Sequence, residues 1–243
     1  MSLPTQNKSV NIVKNRDEVV TTLANLIKQV SNDRILKQGV FNVGVSGGSL
    51  VGFLKEGLPK IQTDFSKWRI FFCDERVVPE DSPDSTYGQY KQLMSALNLK
   101  ENQFIRIKQG VSAEDAAEDY VHKVAHHFSQ AAIPKFDMLL LGMGPDGHTC
   151  SLFPGHKLLE EKSKWVAAIT DSPKPPPSRV TLTFPVINNA LYCVFAVCGK
   201  EKADMVKRIL VDKEDLPATR VKPTSGTLVW IMDEDAGKYL SGH

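Results

Sequence analysis

Short runs of almost continuously apolar residues recur along the chain, each too brief for a helix and separated from the next by stretches of helical period. Val40-Phe41-Asn42-Val43-Gly44-Val45 is the first, Arg69-Ile70-Phe71-Phe72-Cys73 the second and Asp137-Met138-Leu139-Leu140-Leu141 the third. Further strands are expected at 165–170, 180–184, 191–197 and 227–232. A strand with one wet face alternates apolar and polar residues; a strand covered on both faces does not. Between the runs, Val19, Val20, Leu23, Leu26, Ile27 and Val30 repeat at helical spacing over 17–36. Leu50, Phe53 and Leu54 open another helix, and Tyr87, Tyr90, Leu93, Met94 and Leu97 a third. Ala113, Ala117, Tyr120, Val121, Val124 and Phe128 mark a fourth, and 201–210 a fifth. This order predicts an α/β fold: a single-domain, largely parallel, doubly wound sheet with helices on both faces. The domain is expected to span 1–243, with 1–10 a loosely ordered N-terminal segment. The proline-rich stretch 172–178 is short and precedes a strand, so it is expected to be a surface loop rather than a linker.

Composition narrows the partners. Lys and Arg number 30 against 28 Asp and Glu, without the basic stripe that phosphate neutralisation along a nucleic acid needs. No nucleic-acid partner is expected. The four cysteines form no C-x-x-C pair, which argues against a disulfide scaffold and a structural zinc site. The adjacent His126 and His127 fall on one helix, where neighbouring side chains diverge, so no metal is expected. No apolar run reaches the roughly 18 residues of a membrane span, and residues 1–10 lack the apolar stretch of a secretory signal. Asn7-Lys8-Ser9 fits a glycosylation acceptor but would not meet the machinery. A cytoplasmic protein with no membrane and no obligate protein partner is the expectation.

Three segments sit just after predicted strands, where a parallel sheet gathers its ligand-binding loops. In Gly44-Val45-Ser46-Gly47-Gly48-Ser49 the glycines let backbone N–H groups converge, Ser46 and Ser49 add hydroxyls, and a helix follows whose N-terminus favours an anion. No lysine follows, so it is not a Walker A loop. It also fits G-x-S-x-G, with Ser46 as nucleophile and His148 as base, but no upstream oxyanion segment of the H-G-G-G kind accompanies it. Asp74-Glu75-Arg76-Val77-Val78-Pro79 carries three charges straight after an apolar strand. Taken alone it reads as an exposed loop with local ion pairs.

The third segment is the glycine-rich stretch Gly142-Met143-Gly144-Pro145-Asp146-Gly147-His148-Thr149-Cys150-Ser151-Leu152-Phe153-Pro154-Gly155. Gly142, Gly144 and Gly147 satisfy G-x-G-x-x-G, but Pro154-Gly155 would stop the helix a dinucleotide fingerprint requires. Asp146 and His148 stand two residues apart in this loop. Histidine transfers protons near neutral pH, and a neighbouring carboxylate orients it and raises its basicity.

Together, Ser46-Gly47-Gly48-Ser49, Asp74-Glu75-Arg76-Val77-Val78-Pro79 and the D-G-H-x-x-S-L-F-P-G stretch resemble the 6-phosphogluconolactonase family, within the glucosamine-6-phosphate isomerase/deaminase superfamily. The resemblance runs over about 19–239. It implies hydrolysis of 6-phospho-D-glucono-1,5-lactone to 6-phosphogluconate, the second step of the oxidative pentose phosphate pathway. By match it also implies a phosphate-binding role for Lys200, in Cys198-Gly199-Lys200, and a place near the substrate for Arg179. The deaminase branch continues its D-G-H core through Phe-Asn-Glu-Pro. Here Ser151-Leu152-Phe153-Pro154 offers no carboxylate for isomerisation.

The expected mechanism follows. His148 takes a proton from the attacking water, Asp146 orients His148, and Arg76, positioned by Asp74, stabilises the developing oxyanion. Ser46, Gly47, Gly48 and Ser49, with Lys200 and Arg179, hold the phosphate of a sugar-phosphate lactone, and no cofactor is called for. The alternatives are a sugar-phosphate-binding protein without turnover and an amino-sugar-phosphate deaminase.

Overall fold

The computed structural model describes residues 7–128 and 132–240. In chain order the strands are β1 (Asn7–Val13), β2 (Phe41–Val45), β3 (Trp68–Phe72), β4 (Asp74–Arg76), β5 (Phe104–Ile105), β6 (Met138–Leu141), β7 (Val166–Ile169), β8 (Arg179–Leu182), β9 (Tyr192–Val197) and β10 (Thr227–Asp233). The helices are α1 (Arg16–Gln38), α2 (Ser49–Gly57), α3 (Thr86–Ala96), α4 (Ala113–His127), α5 (Phe184–Ile187), α6 (Ala203–Leu210) and α7 (Glu234–Gly237).

Seven strands form one sheet in the order β1-β10-β9-β6-β2-β3-β5, and every neighbouring pair is parallel. Period-two geometry splits each apolar run between two cores. Leu139 and Leu141 of β6 pack on one face with Phe195, Trp230, α4 and α6. Met138 and Leu140 pack on the other with Val43, Ile70, α1, α2 and α3. This is why the runs are apolar throughout: neither face of a central strand meets water. Among the described residues no helix is long and apolar enough to cross a membrane.

The winding has one reversal. From β2 the chain builds outward through β3 to β5, then returns to lay β6 on the other side of β2 and proceeds through β9 to β10. The crevice beyond the carboxyl ends of β2 and β6 is therefore the topological switch point, where open α/β sheets bind ligands.

Three sequence expectations need correction. Asn7–Val13 is a regular strand paired with β10, so residues 7–10 are not a loose segment, while 1–6 lie outside the described residues. No residue of Asn-Lys-Ser-Val-Asn-Ile-Val is fully buried, and Val10 and Ile12 stand exposed, as on a strand at the sheet edge. β7 and β8 are strands as expected but leave the parallel sheet, forming with β4 a separate antiparallel sheet in the order β4-β8-β7. And Asp74-Glu75-Arg76 is not an exposed loop but β4, with Asp74 and Glu75 buried.

Candidate active site

The burial of β4 has a chemical explanation. Glu75 accepts hydrogen bonds from the Thr86 and Tyr87 amides at the start of α3, both at 2.8 Å, and from the Arg76 amide at 2.7 Å. It thus satisfies donors that a helix N-terminus leaves unpaired. Asp74 accepts from Ser151 Oγ at 2.8 Å, tying β4 to the loop after β6. In antiparallel register Arg76 faces Arg179 of β8, so two guanidinium groups arrive at the cleft side by side.

Arg179 is almost fully buried. Its Nε donates to Pro176 O at 3.1 Å, and Nη2 donates to Lys174 O at 3.0 Å and Pro175 O at 3.2 Å. Nη1 reaches Ser151 Oγ at 3.5 Å, and the guanidinium lies 5.6 Å from the Phe153 ring centroid. Burial, and then the charge of Arg76, lowers its pKa below the ordinary arginine value. Arg76 is less enclosed; its Nη1 donates to Asp84 O at 2.9 Å.

On the parallel sheet, the loop after β2 is fixed from beneath: the buried Tyr90 of α3 donates its hydroxyl to Ser46 O at 2.7 Å. Gly48 has φ +75°, a conformation that L side chains avoid, and no side chain caps α2, which starts at Ser49. The amides of that first turn are left for a ligand. Ser46 Oγ is buried without a hydrogen-bond partner.

After β6, His148 and Asp146 form a tight pair: His148 Nδ1 and Asp146 Oδ1 are 2.5 Å apart. The pair needs glycine at 144, because a Cβ there would overlap both the imidazole and the carboxylate. The turn closes through Gly144 N–H donating to His148 O at 2.9 Å and Gly147 N–H to Gly144 O at 3.0 Å. The imidazole packs on Phe153, ring centroids 4.7 Å apart. Burial pushes the His148 pKa below its ordinary value against the opposing pull of Asp146. Burial works against ionisation of Asp146 too, but the hydrogen bond and charge of His148 carry its carboxyl below the usual range. Both directions favour a carboxylate beside a neutral imidazole. With the Nδ1 proton assigned to the Asp146 contact, the Nε2 lone pair is free to take a proton.

Ser46, Gly47, Gly48, Ser49, Asp74, Arg76, His148 and Arg179 line one cleft of about 180 Å³ at the switch point. Two larger hollows, of about 530 and 630 Å³, lie elsewhere and gather no comparable chemistry. Lys200 does not line the cleft; it is exposed, in the first position of a 3-10 turn, Lys200–Lys202. Residues two apart in such a turn point to different sides. It is Lys202 that lines the cleft, its Nζ donating to Met143 O at 3.1 Å. Lys174, too, escaped the sequence reading: its Nζ lies 3.4 Å from both Asp146 Oδ1 and His148 Nδ1. Lys174 lies in the proline-rich stretch 172–178 that leads to Arg179, which is its one sequence signal, while nothing in the sequence separates Lys202 from Lys200. Among the described residues no group of three or more His, Cys, Asp or Glu side chains is placed to hold a metal ion.

A parallel α/β sheet whose switch point carries a histidine–carboxylate pair, an uncapped helix and converging cations defines a protein built to act on a small anionic molecule. Residues 14–230 match the family described as glucosamine-6-phosphate isomerases/6-phosphogluconolactonase. The rat protein named 6-phosphogluconolactonase is 46% identical over 240 residues, 96% of this chain and 93% of that one. Its human counterpart is 45% identical over 241 residues, again 96% and 93%. The solved structure of 6-phosphogluconolactonase from Trypanosoma cruzi superposes with a TM-score of 0.84 at 27% identity, covering 99% of this chain and 98% of that one. That from Thermotoga maritima gives 0.81 at 26% identity, covering 93% and 100%. The chain belongs to the glucosamine-6-phosphate isomerase/6-phosphogluconolactonase family.

Proposed function

We propose that this protein hydrolyses 6-phospho-D-glucono-1,5-lactone to 6-phosphogluconate, as the names of its relatives indicate for them, and so serves the second step of the oxidative pentose phosphate pathway. The observation that carries the reading is His148, held by Asp146 and opening on a cleft that also holds Arg76, Arg179 and Lys202. A lactone is an activated ester, so hydrolysis asks for a deprotonated water, a stabilised oxyanion and a held phosphate. His148 Nε2 removes a proton from water as its oxygen attacks C1. Asp146 keeps the imidazole in the right tautomer and offsets the charge it gains. The carbonyl electrons move to oxygen, and Arg76, positioned beside Asp74, stabilises that oxyanion. Collapse breaks the bond from C1 to the ring oxygen, which takes the proton back from His148, and the new carboxylic acid ionises.

The 6-phosphate is the anchor. The amides at Gly47 to Ser49, the hydroxyls of Ser46 and Ser49, and the charges of Lys202 and Arg179 supply a dianion with donors, fixing the carbonyl by binding energy spent away from it. The unpartnered Ser46 hydroxyl is the kind of group such a ligand would satisfy. The reading extends to a cytoplasmic enzyme of free sugar phosphates, with no nucleic-acid or membrane partner.

Acid release from fresh lactone in a weakly buffered indicator assay tests the proposal. Turnover well above spontaneous hydrolysis is expected, with no ammonia from glucosamine 6-phosphate. No acceleration would make the protein a sugar-phosphate binder; ammonia production at a comparable rate would make it a deaminase.

A further inference from the structure

At the opposite end of the sheet from the cleft lies a second concentration of positive charge. Lys8 of β1, Lys213 after α6 and Lys222 ring a cavity of about 290 Å³ whose inner wall includes Leu228 and Trp230. Lys8 and Leu228 are register partners near the amino ends of β1 and β10, whereas the cleft sits beyond the carboxyl ends of the strands. The site is therefore separate from the proposed catalytic one.

Three ammonium groups around one cavity call for counterions, and the nearby carboxylates are already engaged. Asp212 pairs with Lys207 at 2.7 Å, Glu214 with Arg208 at 2.6 Å and Asp215 with Arg220 at 2.7 Å. Among the described residues Lys8, Lys213 and Lys222 have no ion-pair partner. Burial, and then the charges of Lys213 and Lys222, lowers the Lys8 pKa, the mark of like charges left facing one another. Thr219 apart, the rest of the lining is apolar, from Ile209, Leu210, Ala218, Val221 and Leu228, so nothing inside the cavity offers these ammonium groups a carboxylate.

We propose that this cavity is a second ligand site, taking a small phosphate monoester with its phosphate among Lys8, Lys213 and Lys222 and its carbon body against Leu210 and Leu228, in front of the buried Trp230. Lysines act as point charges on phosphate, and the apolar wall favours an organic ester over the bare ion. The volume stands near the lower end for small-molecule sites, which limits the body to about one ring.

The test is a titration of the full-length protein with phenyl phosphate, followed through the indole N–H resonances of its three tryptophans. The Trp230 signal is identified by its loss in Trp230→Phe. Phenyl phosphate is expected to move that signal saturably, at least tenfold more tightly than inorganic phosphate. The triple variant Lys8→Met/Lys213→Met/Lys222→Met should weaken the effect at least tenfold. Its basal lactone hydrolysis, and competitive inhibition by phenyl phosphate at the cleft, should stay unchanged. Lys222→Glu alone should reproduce the loss in part should the triple variant fold poorly. A Trp230 signal that does not move while the cleft saturates, or moves equally in the lysine variants, overturns the proposal. Equal affinity for inorganic phosphate overturns the apolar part of it.

Discussion

Lys202 after β9 apart, the seven-stranded sheet brings to the cleft groups that are neutral or already paired: glycine-rich backbone after β2, and after β6 an imidazole bound to its carboxylate. The three-stranded sheet brings charges that are neither, with Asp74 and Arg76 on β4 and Arg179 on β8. The central strands of the large sheet can be largely apolar because its functional groups hang on loops beyond the strand ends. The small one places functional side chains within its strands and has to bury them, each held by a specific acceptor or donor. Chemistry carried on loops leaves a fold's stability free of the site; chemistry carried inside a sheet couples the two. The consequence can be measured.

The largest effect belongs to the loop-borne pair. Replacing His148 by Asn or Ala should lower kcat by roughly 10²–10⁴, the usual contribution of a positioned general base. KM should hardly change, since His148 acts on water and not on the phosphate. The melting temperature should also stay close to that of the parent, because the side chain holds no structural carbonyl. A variant with near-full kcat would remove His148 from the chemistry.

Next come the two arginines of the small sheet, which sharpen the contrast because they share one cross-strand register but differ in burial. Arg76→Ala should cost about 10²–10³ in kcat, as loss of an oxyanion donor does, with little change in thermal stability. Arg179→Met should raise KM and also destabilise, on the order of 1–3 kcal/mol for the carbonyls it leaves unsatisfied. Thermal melts and steady-state kinetics on both variants decide it. If both arginines proved neutral to stability, the small sheet would be no more coupled to the fold than the loops are.

The same contrast explains what could be read from the residues. Met138-Leu139-Leu140-Leu141 and its sister runs were legible because two-sided burial leaves a one-dimensional mark. β1 is hard to read because Asn7, Lys8, Ser9 and Asn11 look like a polar terminus, and β5 because Phe104–Ile105 is only two residues long. β7 and β8 were visible as strands, but apolarity does not say which sheet a strand joins. Asp74-Glu75-Arg76 read as loop because charges signal exposure, and the partners that permit their burial, the start of α3 and Ser151, are 10 or more residues away. Within the site, Asp146 and His148 were legible by adjacency in a glycine-rich loop. Ser151 as a link between Asp74 and Arg179, and Tyr90 under Ser46, depend on contacts between distant elements.

A smaller effect separates two lysines of one turn. Lys202→Ala should raise KM for the phosphorylated lactone by about 10–100-fold, the worth of a charge-assisted contact to phosphate. Lys200→Ala, from an exposed position outside the cleft, should change it less than about twofold, within the range of ordinary surface substitutions. The reverse ranking, read from steady-state KM values and inhibition by inorganic phosphate, would return the anchor to Lys200.

The smallest effect is a displacement along the pH axis, and it tests whether the small sheet's approach loop tunes the large sheet's base. As a general base His148 works in its neutral form, so kcat/KM should rise with pH through its pKa and level off above. Burial holds that pKa below the ordinary histidine value of about 6.5; Lys174 adds in the same direction, while the Asp146 and Asp74 carboxylates pull the other way. Lys174 is itself held in place by its backbone, since Arg179 donates to the Lys174 carbonyl. Removing the ammonium in Lys174→Met relieves one of the influences that disfavour imidazolium. The acid limb of the kcat/KM profile should therefore move to higher pH, making the variant slower on the acid side and unchanged on the plateau. Lys174→Arg, which keeps the charge, should leave the limb where it is. With about a third of the Lys174 side chain exposed, added salt should shrink the displacement, because screening weakens charge effects most at wet positions. A limb that stays fixed, or moves to lower pH, in Lys174→Met would mean that the lysine touches the pair without tuning it.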